Sequence, residues 1–373
     1  MRRANVIVSA IFVVMITIPG AGLLLGLDPQ TISTIERREL AKPPAWSADA
    51  TIAGWLRDFE RYFEDHFALR NHLIRWHARI LWDGLHTAAS NTVIAGTGDW
   101  MFYADDGGLE DWVETRPFTA AQLEGWRLML ERGKAWLEAR RIAFLVVIAP
   151  DKQMVYPEKM PRSLVRMRDQ YRVDQLLAHL RGRSTVTILD LRSSIAAARS
   201  GEILYHLHDT HWNDRGALVA ANAITAALHQ QFPAIEPLSR DAFVAIPGVP
   251  SGDRTSMLDL EDPGKRTMPG LMPVGGWSWR TIEPNHPDPY EEDGRTVTEI
   301  DGSALPRALV FRDSFASRLI PYLSERFSRA VYLWQKGFDA AAVEREHPDV
   351  VILEMVARHL VTDEPYPDSV PPP

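Results

Sequence analysis

The sequence predicts a three-layer α/β fold organised on a mostly parallel sheet. Uninterrupted apolar runs at 142–149, 305–311 and 349–353 read as strands buried on both faces, as in parallel sheets covered by helices. Between the runs the apolar spacing turns helical, and strands alternating with helices imply crossover connections. Chemically active residue types stand directly behind the runs: Asp151 and Lys152, Asp313 and Ser314, Glu354 and Arg358. Ligands of open α/β sheets bind outside the carboxyl ends of the strands, which places Lys152 near a site and presents Ser314 at the sheet edge.

The N-terminus has its own logic. Arg2 and Arg3 precede an uncharged apolar run from Val6 to Leu27, close to the ~20 residues that span a bilayer. A secretory signal has a core of only about 7–15 residues and an Ala-x-Ala-like cleavage site. No good site follows here, so a retained anchor is expected, with Pro19-Gly20 leaving a cleaved signal as the alternative. The arginines would stay on the cytoplasmic side, and the rest would lie outside, in the periplasm, anchored in the inner membrane. The domain plan is therefore an anchor or signal at 1–27, a Pro-rich linker at 28–50, one large domain at 51–362 with an irregular insertion at about 232–303, and a loose tail at 363–373.

Within the domain, Trp55, Phe59, Tyr62 and Phe63 form an apolar stripe on a helical segment running to Leu85. Asp65, His66 and Arg70 in this segment read as a capped junction or as support for a site. Residues 93–103 read as a hairpin around Gly96 and Gly98, too short for a phosphate loop. Thr119 caps a helix reaching about Arg140, with Trp126, Leu130, Gly133 and Leu137 on one side. A helix at 168–181, a strand at 185–191 and a short helix at 193–198 follow. Asn213 or Asp214 caps a helix to about Gln230. In the insertion, Trp277, Trp279 and the segment 285–290 suggest a lid of short strands; the two indoles read equally as sugar platforms or as core. The run ending at Phe311 leads into a helix at 315–327. A strand at 330–334 and a helix at 339–346 precede the last apolar run.

Composition narrows the function. A net charge of −8 with no basic stripe argues against a nucleic-acid partner. There are no cysteines, which removes disulfides, thiol catalysis and Cys-ligated metals.

Two stretches carry the chemistry. In His206-Leu-His-Asp-Thr-His-Trp-Asn213, a carboxylate and an imidazole stand two residues apart before a helix; in Phe311-Arg-Asp-Ser-Phe315, a serine stands between a strand and a helix. A serine there is presented at the sheet edge, near the backbone N–H groups of a helix start. It needs a base, for which His211 is the candidate, with Asp209 to orient it. The rival is a metal site on His206, His208, Asp209 and His211; a purely structural role for the histidines is the third reading. Lys152 is expected near a site or simply solvated.

Residues 207–213 and 311–315 resemble the two signature blocks of the alginate O-acetyltransferase family, membrane-anchored or periplasmic relatives of the SGNH hydrolases. Residues 63–67 with Arg70, 99–103, 150–158 and 349–354 are similar to further blocks of that family. The resemblance implies an SGNH-hydrolase-like domain in which the Asp-x-His block precedes the serine, a permuted order. It implies Ser314 as nucleophile, His211 as base and Asp209 as its partner, with Lys152, Tyr156, Arg358 and Trp212 at the substrate. Arg312 stands where the family often has glycine. The resemblance further implies no cofactor and no metal, a polysaccharide acceptor, and a membrane-bound O-acyltransferase as donor partner. A carbohydrate acetylesterase with the same triad and a non-catalytic polysaccharide-binding scaffold are the alternatives.

Overall fold

In the computed structural model, the central sheet has seven strands, numbered here in chain order: β1 (Ala143–Ala149), β2 (Ile188–Asp190), β3 (Arg280–Pro284), β4 (Arg295–Glu299), β5 (Arg307–Arg312), β6 (Arg329–Trp334) and β7 (Val350–Val356). The structure describes residues 2–25, 32–33, 38–46, 51–248, 268–284 and 294–365. Most of the expected linker, the segment 285–290 and the tail beyond 365 lie outside the described residues.

The strand order is β2-β1-β7-β5-β6-β4-β3. The first five of these are parallel, and β4 and β3 close one edge antiparallel. The apolar runs occupy the middle: every residue of β7 is buried, as are all of β1 except Phe144 and all of β5 except Arg307. Val and Ile fill these strands because their branched side chains pack on a pleated, two-sided surface. The mixed but mostly parallel sheet flanked by helices is the fold the alternation predicts.

Helices form where capping and spacing predict. Thr119 accepts from the Gln122 amide while the Gln122 side chain accepts from the Thr119 amide, a reciprocal cap opening the helix Ala120–Glu138. Its Trp126, Leu130, Gly133 and Leu137 are buried, and Gly133 faces Phe144 of β1. Asn213 Oδ1 accepts from the amides of Arg215 and Gly216 and starts the helix Asp214–His229. The helix expected at 315–327 is two short ones, Ser314–Ser317 and Ile320–Ser324, with Pro321 in the first turn of the second. Pro321 lacks the N–H that a continuous helix would use there.

The insertion contributes to the sheet, a role the expected lid did not include. Strands β3 and β4 come from it, and a second pair, Phe243–Ile246 with Gly270–Pro273, forms an antiparallel ribbon. Trp277 and Trp279 are half-buried; Trp277 packs on Phe243 and Tyr322, and Trp279 Nε1 donates to the Pro321 carbonyl.

The chain separates into two compact units, dividing between Ser90 and Asn91, and the sheet belongs wholly to the second. The first contains an apolar helix Arg2–Leu25, the only one among the described residues long and apolar enough to cross a membrane, and helices Ile52–His66 and Arg70–Arg79. Asp65 Oδ2 accepts from the Ala41 amide (2.7 Å), His66 Nε2 lies 2.9 Å from the Ala41 carbonyl and Arg70 Nε donates to the Glu64 carbonyl. These three residues therefore tie a helix junction within their own unit.

Candidate active site

The carboxyl ends of β1, β5 and β7 lead into three polar turns: Asp151-Lys152, Asp313-Ser314 and Arg358-His359. The loop 206–213 meets the second of these. Trp212, fully buried, donates its indole N–H to the Phe315 carbonyl (3.2 Å), and the Phe315 ring lies 5.0 Å from the His211 ring. The two stretches, a hundred residues apart in sequence, thus touch one residue beyond Ser314.

Within the loop, Asp209 Oδ1 lies 2.7 Å from His211 Nδ1 and accepts from the His211 amide at 2.9 Å. One oxygen fixes both the backbone and the ring, so the compact Asp-x-His spacing is enough to orient the imidazole. Burial pushes the Asp209 carboxyl up, but the adjoining His211 outweighs it and holds the group well below the usual carboxylate range. An ionised Asp209 accepts from Nδ1–H and leaves Nε2 as the ring's basic nitrogen.

Lys152 is buried beneath this loop. Its ammonium donates to the carbonyls of His206 (3.0 Å), Leu207 (3.0 Å) and Asp209 (2.7 Å). Tyr156, also buried, accepts from the Leu204 amide through its hydroxyl (2.9 Å). Gly216 completes the support: a Cβ there would stand 2.3 Å from the Leu204 carbonyl oxygen and 2.8 Å from Trp212 Cβ. His208 Nε2 bonds to the Asp99 carbonyl at the hairpin turn, and burial pushes His206 down to about 4, keeping it neutral. Among the described residues no three His, Asp or Glu side chains are arranged to hold a metal ion.

The serine turn is held by buried charge. Asp313 Oδ1 accepts from the Phe315 amide (2.8 Å), capping the helix Ser314–Ser317, and Oδ2 accepts from the Val356 amide (2.7 Å). The Asp313 amide donates to Glu354 (3.2 Å), and the Ala316 amide also bonds this carboxyl. Burial and the neighbouring Asp313 charge push Glu354 well up, so it is neutral beside an ionised Asp313. Arg312, where glycine was the family expectation, is fully buried: its Nη1 donates to Ser317 Oγ (2.7 Å) and its guanidinium lies over the Trp334 ring.

Sequence reasoning missed the next layer. His359 stands between two carboxylates, with Nδ1 3.0 Å from Asp313 Oδ2 and Nε2 2.9 Å from Asp106 Oδ2. Burial disfavours its charge, but the hydrogen bonds to Asp106 and Asp313 win and raise it to about 9. Arg358 turns the other way: Nη1 and its backbone N–H both donate to Asp151, and Nε lies 3.3 Å from Asp106. Lys152, Tyr156, Trp212 and Arg358 are thus all buried with polar groups bonded to the framework. The signal for the missed His359 was position: with Arg358 it follows a fully apolar strand, as Asp313 and Ser314 do.

Comparison with known proteins agrees with this architecture. A family described as an SGNH hydrolase-like domain of the acetyltransferase AlgX matches residues 93–275. The "Probable alginate O-acetylase AlgJ" of Pseudomonas syringae pv. tomato is 26% identical over 227 residues, which are 58% of this chain and 54% of that protein. The chain thus spans about half the length of this curated relative. Among solved structures, Bacillus cereus PatB1 superposes with a TM-score of 0.53 at 14% identity, over 72% of this chain and 96% of the other. A DHHW family protein from Eubacterium siraeum gives 0.51 at 12% identity, over 74% and 94%. At these identities the two structures speak for the fold alone. The AlgX-type match runs from the hairpin strand at 93 through the Asp-x-His loop and the helix behind it, and over this stretch the chain is similar to the SGNH-hydrolase-like alginate O-acetyltransferases.

Proposed function

We propose that the protein is an extracytoplasmic O-acetyltransferase that moves an acetyl group onto hydroxyls of an exopolysaccharide through an acyl-enzyme on Ser314. The observation that carries this is the Asp209–His211 pair, 2.7 Å apart, packed against Phe315 directly after Ser314. In the first step Ser314 Oγ attacks the acetyl carbonyl and passes its proton to His211 Nε2. Collapse expels the donor's leaving group, which takes that proton, and leaves an acetyl ester on Ser314. A sugar hydroxyl then attacks the ester, His211 accepts its proton, and Ser314 is restored with that proton as the acetylated sugar departs. Asp209 stabilises the imidazolium in both halves.

The turn also restricts where an oxyanion can be held. The amides of Phe315 and Ala316 are committed to Asp313 and Glu354. That leaves the amide of Ser314 itself as the donor nearest the reacting carbon. The N-terminal helix would keep this site at the outer face of the inner membrane, beside a membrane-bound O-acyltransferase that supplies the acetyl group. The name of the curated relative supports alginate as the model acceptor.

The test is turnover of a chromogenic acetyl ester by the full chain in detergent, with and without alginate oligosaccharides, read by acetate release and by glycan mass. Acetylated oligosaccharide that disappears in Ser314→Ala supports the proposal. Acetate release that glycan never diverts identifies an esterase instead. Methanesulfonyl fluoride gives a second readout, because it sulfonylates an activated serine. Peptide mass mapping is expected to find the adduct on Ser314, and labelling elsewhere with Ser314 untouched would sink the assignment.

A further inference from the structure

The helix Arg70–Arg79 and the turn Ile80–Gly84 that continues it carry two apolar faces. One is inward: Ala78 and Trp82 are buried, and Asn71 and Ile74 are half-buried. The other points away from the protein. Leu69, Leu73, Trp76 and Ile80 are 44%, 45%, 60% and 66% exposed. At 100° per residue Leu73, Trp76 and Ile80 fall within an arc of about 60°, opposite the buried face, with Leu69 just before the helix. Cationic and imidazole side chains border the exposed stripe: Arg70 and His77 on one flank, His72, Arg75 and Arg79 on the other. The helix contains no acidic residue. The preceding helix also presents apolar side chains outward, at Ile52, Leu56 and Phe59.

The position of this stripe names its occupant. The Ala68 amide donates to the Pro19 carbonyl at 3.3 Å, within the same compact unit. Pro19 lies six residues before Leu25, the end of the apolar span Asn5–Leu25. At 1.5 Å per residue that is about 9 Å inside the outer end of the span. An interfacial helix sinks its apolar face about 5–10 Å into the headgroup and acyl boundary, which is where this contact holds Leu69. Trp76 suits that layer, and a flanking arginine such as Arg79 reaches outward to anionic headgroups while its stem stays in apolar surroundings.

We infer that Leu69–Ile80 lies in the outer surface of the membrane as an interfacial helix, with Leu73, Trp76 and Ile80 in lipid and Arg79 on its border towards anionic phospholipid headgroups. This rests on reading Asn5–Leu25 as a membrane span, and it adds a second, lateral attachment to the anchor. The unit at the membrane is then clamped against the surface instead of swinging from a single helix.

The absence of cysteine makes the test direct. Val14→Cys, Leu73→Cys, Trp76→Cys, Ile80→Cys and, as a water control, Glu344→Cys each give the full chain one spin-labelling site. The labelled proteins are placed in nanodiscs of phosphatidylethanolamine and phosphatidylglycerol. Accessibility to oxygen, which concentrates in lipid, is compared with that to a water-soluble nickel chelate. The expected order of oxygen preference is 14 highest, then 73, 76 and 80, then 344, with the middle group losing oxygen preference in pure phosphatidylcholine. Labels at 73, 76 and 80 that behave like 344 while 14 stays deep would overturn the inference and leave the anchor intact. A water-like label at 14 would remove the anchor and the inference together. Exclusion of both reagents at 73, 76 and 80 would mean that protein covers the stripe, which also overturns it.

Discussion

Replacing His359 with Gln removes the central charge of a row of three, between buried Asp313 and half-buried Asp106, and the cost is readable as a pH dependence. In the folded protein Asp106 and Asp313 raise the imidazole to about 9, against an ordinary value of about 6.5 when unfolded. A raised folded value stabilises the protein fully below the unfolded pKa and is lost as pH rises through the folded one. At 1.36 kcal/mol per unit, the difference is worth about 3 kcal/mol near pH 6, about 2 near pH 7.5 and under about 1 at pH 9. His359 is only 5% exposed, so solvent screening takes little from these figures. For a unit of this size 1 kcal/mol moves Tm by about 2–4 °C. His359→Gln is therefore expected to melt about 6–12 °C lower near pH 6, with the gap to the native chain closing by pH 9 to 9.5. Differential scanning calorimetry across pH 6–9.5 measures this. Two melting profiles that stay parallel across that range would refute the claim that His359 is held charged between Asp106 and Asp313.

Lys152→Met leaves three loop carbonyls without their ammonium donor. Each bond to a charged group is worth about 1.5–3 kcal/mol, but the freed desolvation of the ammonium offsets much of the sum, so a net loss of about 3 kcal/mol is expected in urea denaturation. Its turnover should fall through kcat, because the displaced loop carries the proposed base His211; a change confined to KM would instead put Lys152 at the substrate. Asp209→Asn keeps an oxygen for the His211 amide but removes the charge behind Nδ1. A loss of about 10³–10⁴-fold in kcat with unchanged Tm is expected from steady-state ester hydrolysis, and a loss under tenfold would argue against the triad.

How much of this was legible beforehand depended on the range of the interactions. The apolar runs at 142–149 and 349–353 announce β1 and β7 because both faces of a central strand are dry, and dryness is written in consecutive residues. Thr119 and Asn213 announce their helices because a cap acts within three residues. The Asp-x-His unit is equally local, since Asp209 reaches both the amide and the ring of His211. The edge strands β3 and β4 were not legible: their alternation is short, and Thr298 becomes buried only when its hydroxyl meets Ser324. Nor was the loss of Lys152, Tyr156 and Arg358 from solvent. Each is a polar residue on a strand-end loop, where exposure is the ordinary expectation. Their burial depends on a backbone amide, carbonyls and a carboxylate supplied by segments 48 to 207 residues away.

The buried charges also explain why the serine turn can be rigid without a tight glycine bend. A four-residue helix has little intrinsic stability, since nucleation costs more than one turn returns. Here the turn is fixed from outside by Asp313, which spends one oxygen on the Phe315 amide and the other on the Val356 amide of β7. An ionised carboxylate buried this deeply would be costly alone. His359 supplies the opposite charge, and Glu354 stays neutral so that no second negative charge opposes Asp313. Arg312 then fills the space under the turn and bonds Ser317, the last residue of the short helix. Residues on β5, behind β7 and at Asp106 thus hold the Ser314 backbone in place, and the loop carrying His211 is held separately by Lys152. Two separately braced parts thus meet at Phe315, through the Trp212 indole and the His211 ring, and a change in either brace is expected to shift the Asp209–His211 pair relative to the serine turn.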